Sequence, residues 1–396
     1  MADADQKPPS SDCLRAENYP NPTDSATPSL HEWVSRKIAA RGGVPFPEYL
    51  DIVLYDKQRG YYAKSQDQVG REGDFYTSVS VGPMFGRLLA RRFVKGWDDA
   101  GNPHTWRILE IGAHDGKLAA DILSEIRAFR PDAWQALEYA IAEPLPRLRD
   151  SQEKRLAGLA TKLRIVTDST ELADNPLPGF AFGNEILDAL PFHLVEFSEA
   201  SWRELHVCAA AGKLFMEPRS IVPASPLAAR LDTLGRDFPE GYRTEIRTNF
   251  EGFLDGLSAC LVDGTMLFTD YGYAAPEYYD RSRTTGTLRT FSSHKAAEDP
   301  LESPGEKDIT AHVDFTDLTN AAESLGLRPT VFSHQGSYLT HLATPLILEG
   351  EIGDVKSIAQ FQSLTHPAHL GAGFHAIEFS VQGDTPPHVA HRIALD

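Results

Sequence analysis

Cysteine is nearly absent from this chain. Three occur in 396 residues, Cys13, Cys208 and Cys260, far apart and without a CxxC pair. So sparse and odd a set excludes a disulfide framework and points to a reducing compartment. No apolar run is long enough to span a bilayer. The first 30 residues are polar, Pro-rich and rather acidic, with no apolar signal core and few arginines. They do not read as a targeting segment, and the expectation is a cytoplasmic protein. Positive charge is also short: 38 Lys and Arg face 56 Asp and Glu, a formal charge of −18. A nucleic-acid binder normally carries a basic footprint, so that class is disfavoured. An acidic chain suits solubility and accommodates a basic protein partner.

What remains is an ordinary globular composition, 41% hydrophobic and 24% charged. Residues 1–28 read as a disordered tail, from their Pro, Ser, Asp and Asn content. Residues 29–100 carry helical periodicity, starting at Ser29 as an N-cap with Leu30, Trp33, Val34 and Ile38 behind it. From about residue 101 the rhythm changes to alternating strands and helices. Arg107–Gly112, Tyr139–Glu143, Leu163–Asp168, Phe180–Glu185 and Gly264–Asp270 read as buried strands, with crossover helices from Leu118 and Pro146. This predicts an α/β class with a Rossmann-like, mostly parallel sheet over 101–396. Residues 192–245 break the pattern with hairpin-like segments and read as an insertion on the substrate side, a lid or a dimerisation arm; a homodimer stays open. Late strands near Thr330–Phe332 and Phe374–Val381 close the sheet.

The chemistry-bearing signal is Glu110-Ile111-Gly112-Ala113-His114-Asp115-Gly116. A strand ends in glycine and turns into a helix, where free N–H groups and missing Cβ atoms let a ligand approach. A dinucleotide fingerprint would need glycine at His114 and Lys117, so the spacing fits the S-adenosylmethionine (SAM) turn better. Glu143 ends the second strand and is placed to accept both ribose hydroxyls. Asp168 ends the third and is placed for the adenine amino group, with capping through Ser169 and Thr170 as its competing task. A metal is not expected: His366/His369 and His388/His391 have helical spacing but no companion carboxylate or cysteine.

Taken together, these stretches resemble one known family. The matching segments are Gly60-Tyr61-Tyr62, Gly73-Asp74-Phe75-Tyr76-Thr77-Ser78, the 109–118 turn, 139–152, Asn184-Glu185-Ile186-Leu187-Asp188-Ala189-Leu190-Pro191, Asp270-Tyr271-Gly272-Tyr273 and Asp308 to Phe315. They are similar, in order, to the SAM-dependent methyltransferases of the MidA and mitochondrial complex I assembly type. The resemblance implies a class I methyltransferase fold, SAM as cofactor and, as substrate, an arginine on a partner protein such as a complex I subunit. A small-molecule acceptor, another side chain, or a non-catalytic assembly role on the same fold are the competing readings. The family turn reads Gly-Pro-Gly-x-Gly, and His114 replaces its middle glycine. Its side chain would crowd the methionine end of the ligand or shift the loop.

On this reading Gly73, Asp74, Thr77 and Ser78 fold over the cofactor, Asp74 on its ammonium and the two hydroxyls on its carboxylate. Glu110, Gly112, Gly116, Glu143 and Asp168 complete the cofactor set. Asn184, Glu185 and Asp188 face the methyl acceptor, and the two carboxylates orient a guanidinium and help remove its proton. The competing task for Glu185 and Asp188 is charge at a helix N-terminus. His312 and Asp314 lie on the substrate side, with a structural role the simpler reading for His312; Tyr61 and Tyr62 read as core.

Overall fold

The computed structural model describes residues 28–64, 77–292, 295–297 and 299–381. The expected tail, Gly73, Asp74, His388 and His391 lie outside them. The centre is one sheet built from β1 (Trp106–Ile111), β2 (Leu137–Ala142), β3 (Lys162–Val166), β4 (Leu177–Asn184), β5 (Leu261–Tyr273), β6 (Arg328–His334) and β7 (Phe374–Val381). Their spatial order is β3-β2-β1-β4-β5-β7-β6. The first five strands run parallel; β7 lies antiparallel to both β5 and β6. This is the Rossmann-like sheet expected from the alternation. Chain order reverses between β1 and β4, which puts a ligand crevice at their carboxyl ends.

Strand periodicity divides the core in two. Ile108, Phe180 and Phe182 point to the face covered by the helices Met84–Asp99 and Lys117–Phe129, against Phe85, Leu88, Phe93 and Ile122. Their neighbours Leu109 and Ala181 point to the other face, against Leu254 and Leu318 of the helices Phe250–Ser258 and Phe315–Ser324. Each fully buried Leu, Ile or Phe contributes about 1.5–3 kcal/mol, so both layers are firmly attached and the sheet edge between them is rigid.

The stretch read as an insertion, 192–245, holds an antiparallel sheet and the helix Pro226–Leu234. Its strands are His193–Ser198, Ser201–Ala210, Lys213–Ser220 and Tyr242–Ile246. The two-residue turn Glu199-Ala200 has positive φ at both positions, 51° and 59°, which suits the right-handed twist of a hairpin. Val44–Pro45 adds a fifth strand through the pairing Val44–Val207. The helices Leu30–Ala39 and Phe46–Leu54 then bury Val34, Ile38, Tyr49 and Leu50 against Phe192, Leu205 and Val207. The amino-terminal helices and the inserted sheet therefore share one core. Residues 84–99, by contrast, belong to the central layer.

Candidate functional site

The turn after β1 has the left-handed backbone that its glycines permit. Gly112 and Gly116 have φ of 70° and 79°, and His114 adopts 46°. Histidine is among the residues that tolerate this region. A Cβ at Gly112 would stand 2.5 Å from Ile186 Cγ2, so glycine there is required by the neighbouring turn. The His114 ring leans towards Asp115, 3.8 Å away, and Arg155 pairs with Asp115 at 2.7 Å. Gly116 caps the helix Lys117–Phe129.

Around this turn the expected cofactor residues hold different positions. Glu143 is buried at the end of β2. Its Oε1 accepts the Leu145 N–H at 2.9 Å and its Oε2 accepts Gln152 Nε2 at 3.2 Å. Gln152 is fully enclosed and also donates to the His114 carbonyl at 2.8 Å. Burial pushes the Glu143 carboxyl up, opposed by those two donors. Each carboxylate oxygen has two lone pairs, so acceptor capacity remains for vicinal hydroxyls. Glu110 lies inside the sheet and receives the Tyr139 hydroxyl at 2.6 Å. Burial raises it to about 8. It supports the turn from below.

Asp168 caps its own turn. Its Oδ1 accepts the Thr170 N–H and hydroxyl at 2.9 and 2.6 Å, which holds it below the usual carboxylate range. Thr77 likewise caps the helix Ser78–Val81 through Ser80. Ser78 donates its hydroxyl to Gln335 Oε1 at 3.1 Å and its N–H to Glu185 Oε1 at 3.3 Å. Ser78 thus ties the amino-terminal segment to the turn after β4, and its single hydroxyl proton is already engaged.

The segment after β4 gathers Asn184, Glu185 and Asp188. No helix follows it; residues 185–192 are turn and irregular backbone. The carboxylates therefore have no helix N-terminus to serve. Glu185 takes φ 53°. Asn184 Nδ2 donates to Glu185 Oε1 at 3.0 Å, and Asn184 Oδ1 accepts the Thr269 hydroxyl at 2.8 Å. Burial raises Glu185 to about 7, with Asp188 adding to it and Asn184 opposing it. Asp188 is 4% exposed and receives the Tyr271 hydroxyl. Burial raises it too, against Tyr271 and Arg247.

Several residues of this site carried no role in the sequence. Asp270, fully buried at the end of β5, accepts the N–H groups of Ile186, Leu187 and Asp188 through Oδ2 and that of Tyr271 through Oδ1. It shapes the turn that carries Asp188. Arg247 reaches in from the end of the inserted sheet and donates to the carbonyls of Leu190, His312, Asp188 and Ala311 at 3.3, 2.8, 2.6 and 2.9 Å. The Asp270-Tyr271-Gly272-Tyr273 signature could have flagged the first; nothing local marks Arg247. His312 stacks on Tyr273 with centroids 5.1 Å apart and edges onto Tyr271. Burial holds it neutral, down to about 4. Asp314 caps the helix Phe315–Ser324. Tyr61 is core, whereas Tyr62 donates to Asp308 Oδ1 at 2.7 Å. His366 accepts from the Ala368 N–H as a cap.

Known proteins share this architecture. The chain is 29% identical over 381 residues to the mitochondrial protein arginine methyltransferase NDUFAF7 homolog of Drosophila melanogaster, covering 89% of this chain and 84% of that one. It is 29% identical to the human protein arginine methyltransferase NDUFAF7 over 75% of this chain and 69% of that one. A protein from Burkholderia thailandensis, crystallised with S-adenosyl-homocysteine bound, superposes with a TM-score of 0.79 at 32% identity, covering 90% and 92% of the two chains. Residues 88–333 match the model of a family described as S-adenosyl-L-methionine-dependent methyltransferase. With that match spanning more than half the chain and the site lying at the switch point of its sheet, this protein belongs to the SAM-dependent methyltransferase family.

Proposed function

We propose that this methyltransferase modifies an arginine side chain of a partner protein, a complex I subunit-like protein being the partner that the family resemblance implies. The carrying observation is the carboxylate set Glu185 and Asp188 in a buried turn that caps no helix. The names of the relatives, arginine methyltransferases at 29% identity, support the same acceptor.

The residues present fit the cofactor. Glu143 is a buried acceptor with unused lone pairs, and the enclosed Gln152 Oε1 has no partner among the described residues. The left-handed Gly112–Gly116 turn brings backbone close to the same place. Glu143 would hold the ribose, the turn backbone and Thr77 the amino-acid end. When bound, SAM supplies a methyl carbon on a sulfonium, an electrophile that needs no further activation. This chain's work is on the acceptor. Glu185 and Asp188 bind the guanidinium through charge-assisted bonds, fix the nitrogen in line, and take the proton that it must lose. Their raised affinity for a proton suits that task.

Mass spectrometry of lysate proteins incubated with methyl-labelled SAM tests the acceptor, and label on arginine is expected. Label confined to other side chains or to small molecules overturns the reading. Glu185→Ala should retain S-adenosyl-homocysteine binding and lose transfer by at least about a hundredfold.

A further inference from the structure

The acceptor side holds more negative charge than its surroundings neutralise. Glu185, Asp188 and Asp270 stand on one turn and the strand beside it; burial draws all three up, Asp188 adds to Glu185, and Asp188 and Glu185 both add to Asp270. The cation facing Asp188 is Arg247, but its N–H groups go to four backbone carbonyls rather than to a carboxylate. The other neighbours are Tyr55, which donates to the Ala189 carbonyl, the Tyr62–Asp308 pair, and neutral His312 edge-on to Tyr271.

The two oxygens of Asp188 differ. Oδ2 receives the Tyr271 hydroxyl, and that phenol is itself held 2.8 Å from Thr310 Oγ1. Oδ1 is closed from solvent and has no hydrogen-bond partner among the described residues. Asp270, in contrast, has four N–H donors. A buried carboxylate oxygen without a donor is costly. Asp270 is tied to the same turn by the N–H groups of Ile186, Leu187 and Asp188, and carboxyls gathered on one buried turn share protons rather than ionise together.

We propose that Asp188 and Glu185 form a proton-exchanging cation site, oriented by Tyr271, in which an entering guanidinium displaces the proton that the buried carboxyls share. This rests on the arginine reading above and adds Tyr271 as its positioning residue. The phenol keeps Oδ2 occupied, so Oδ1 is the oxygen left for the incoming N–H. The exchange balances: one cation enters, one proton leaves to solvent, and the local charge is unchanged. The site then needs no resident counter-ion, and a neutral isostere cannot release the proton.

Calorimetry on the full chain saturated with S-adenosyl-homocysteine tests this, with N-acetyl-arginine amide as probe and N-acetyl-citrulline amide as its neutral counterpart. Titration near pH 7 in two buffers of different ionisation enthalpy counts protons. The expected result is roughly half a proton or more released per arginine amide bound, with no citrulline binding. Tyr271→Phe should weaken the arginine amide about tenfold, shift the pH dependence of binding, and leave S-adenosyl-homocysteine affinity unchanged, which also certifies the fold. Asp188→Asn should at least halve the proton count. Binding without proton release, or a Tyr271→Phe protein with native affinity and proton count, overturns the exchange and leaves the arginine reading intact. Failure to prefer arginine over citrulline overturns both.

Discussion

Gln152 joins two parts of the sheet's carboxyl edge: one amide nitrogen donates both to the His114 carbonyl, at 2.8 Å, and to Glu143 Oε2, at 3.2 Å. The glycine turn after β1 and the carboxylate after β2 are thereby held at a fixed separation. Gln152→Leu keeps the volume and leaves two acceptors without that donor, which costs about 1–3 kcal/mol. S-adenosyl-homocysteine affinity, measured by calorimetry, should fall about tenfold while the far-ultraviolet spectrum stays native. Native affinity in the variant would remove Gln152 from the site.

Glu110 should make stability fall as pH rises. Burial raises its folded-state value from 4.5 to about 8, the Tyr139 hydroxyl opposing. Between those values the folded chain holds a proton that the unfolded chain releases, so stability declines with pH across that window and levels off above it. Glu110→Gln abolishes the titration. Urea melts of variant and native protein should coincide near pH 4.5 and diverge by about 4 kcal/mol in the variant's favour by pH 8.5. Parallel curves would mean that Glu110 stays ionised in the sheet.

The parallel sheet was legible because its strands are short apolar runs ending in glycine or acid. Ile108 and Leu109 face opposite layers, as a period of two requires. The carboxyl edge followed directly, and with it the positions of Gly112, Gly116, Glu143 and Glu185 in the fold. The helices Gln335–Leu348 and Val355–Thr365 did not. Pro345 inside the first reads locally as a breaker, yet Leu339, Ala343 and Leu346 pack into the main core and override it. Asp168 and Ser78 show a different gap. Their positions were legible, but a sequence does not tell whether a short polar side chain turns to a ligand or to its own turn, and here Thr170 and Gln335 take them. Arg247 lay beyond reach for a topological reason. Its partners are separated from it by 57 to 65 residues, and only the fold of the inserted sheet brings them together.

Gly112 is constrained twice, by φ 70° and by the 2.5 Å that a Cβ would leave to Ile186 Cγ2. Gly112→Ala should therefore cost about 2–3 kcal/mol, combining backbone strain with the clash. Adding Ile186→Ala removes the clashing carbon but not the strain. The double variant should be more stable than the sum of the two single losses by about 1 kcal/mol. Simple additivity in denaturant melts would show that the turn moves to make room.

Arg247 is expected to determine whether the inserted sheet and the turn at 185–192 move together. Arg247 is 4% exposed, and its guanidinium bridges the carbonyls of Asp188 and Leu190 to those of Ala311 and His312. It also lies over the Phe192 ring at 5.2 Å, in the core shared with the amino-terminal helices. Arg247→Met fills the space but takes the donor from the carbonyls of Leu190, Ala311 and His312, while that of Asp188 keeps the Ala311 N–H, at a cost of about 3 kcal/mol or more. Arg247→Lys keeps the charge with a single ammonium that cannot span both segments. If charge beside Asp188 were the whole effect, lysine would restore both stability and acceptor binding. If the fork matters, lysine recovers less than half of the stability in urea melts, and hydrogen exchange at residues 186–190 and 311–312 accelerates in both variants while the β1–β2 edge stays protected. Exchange confined to one of those segments would show that they are held independently and that Arg247 does not couple them.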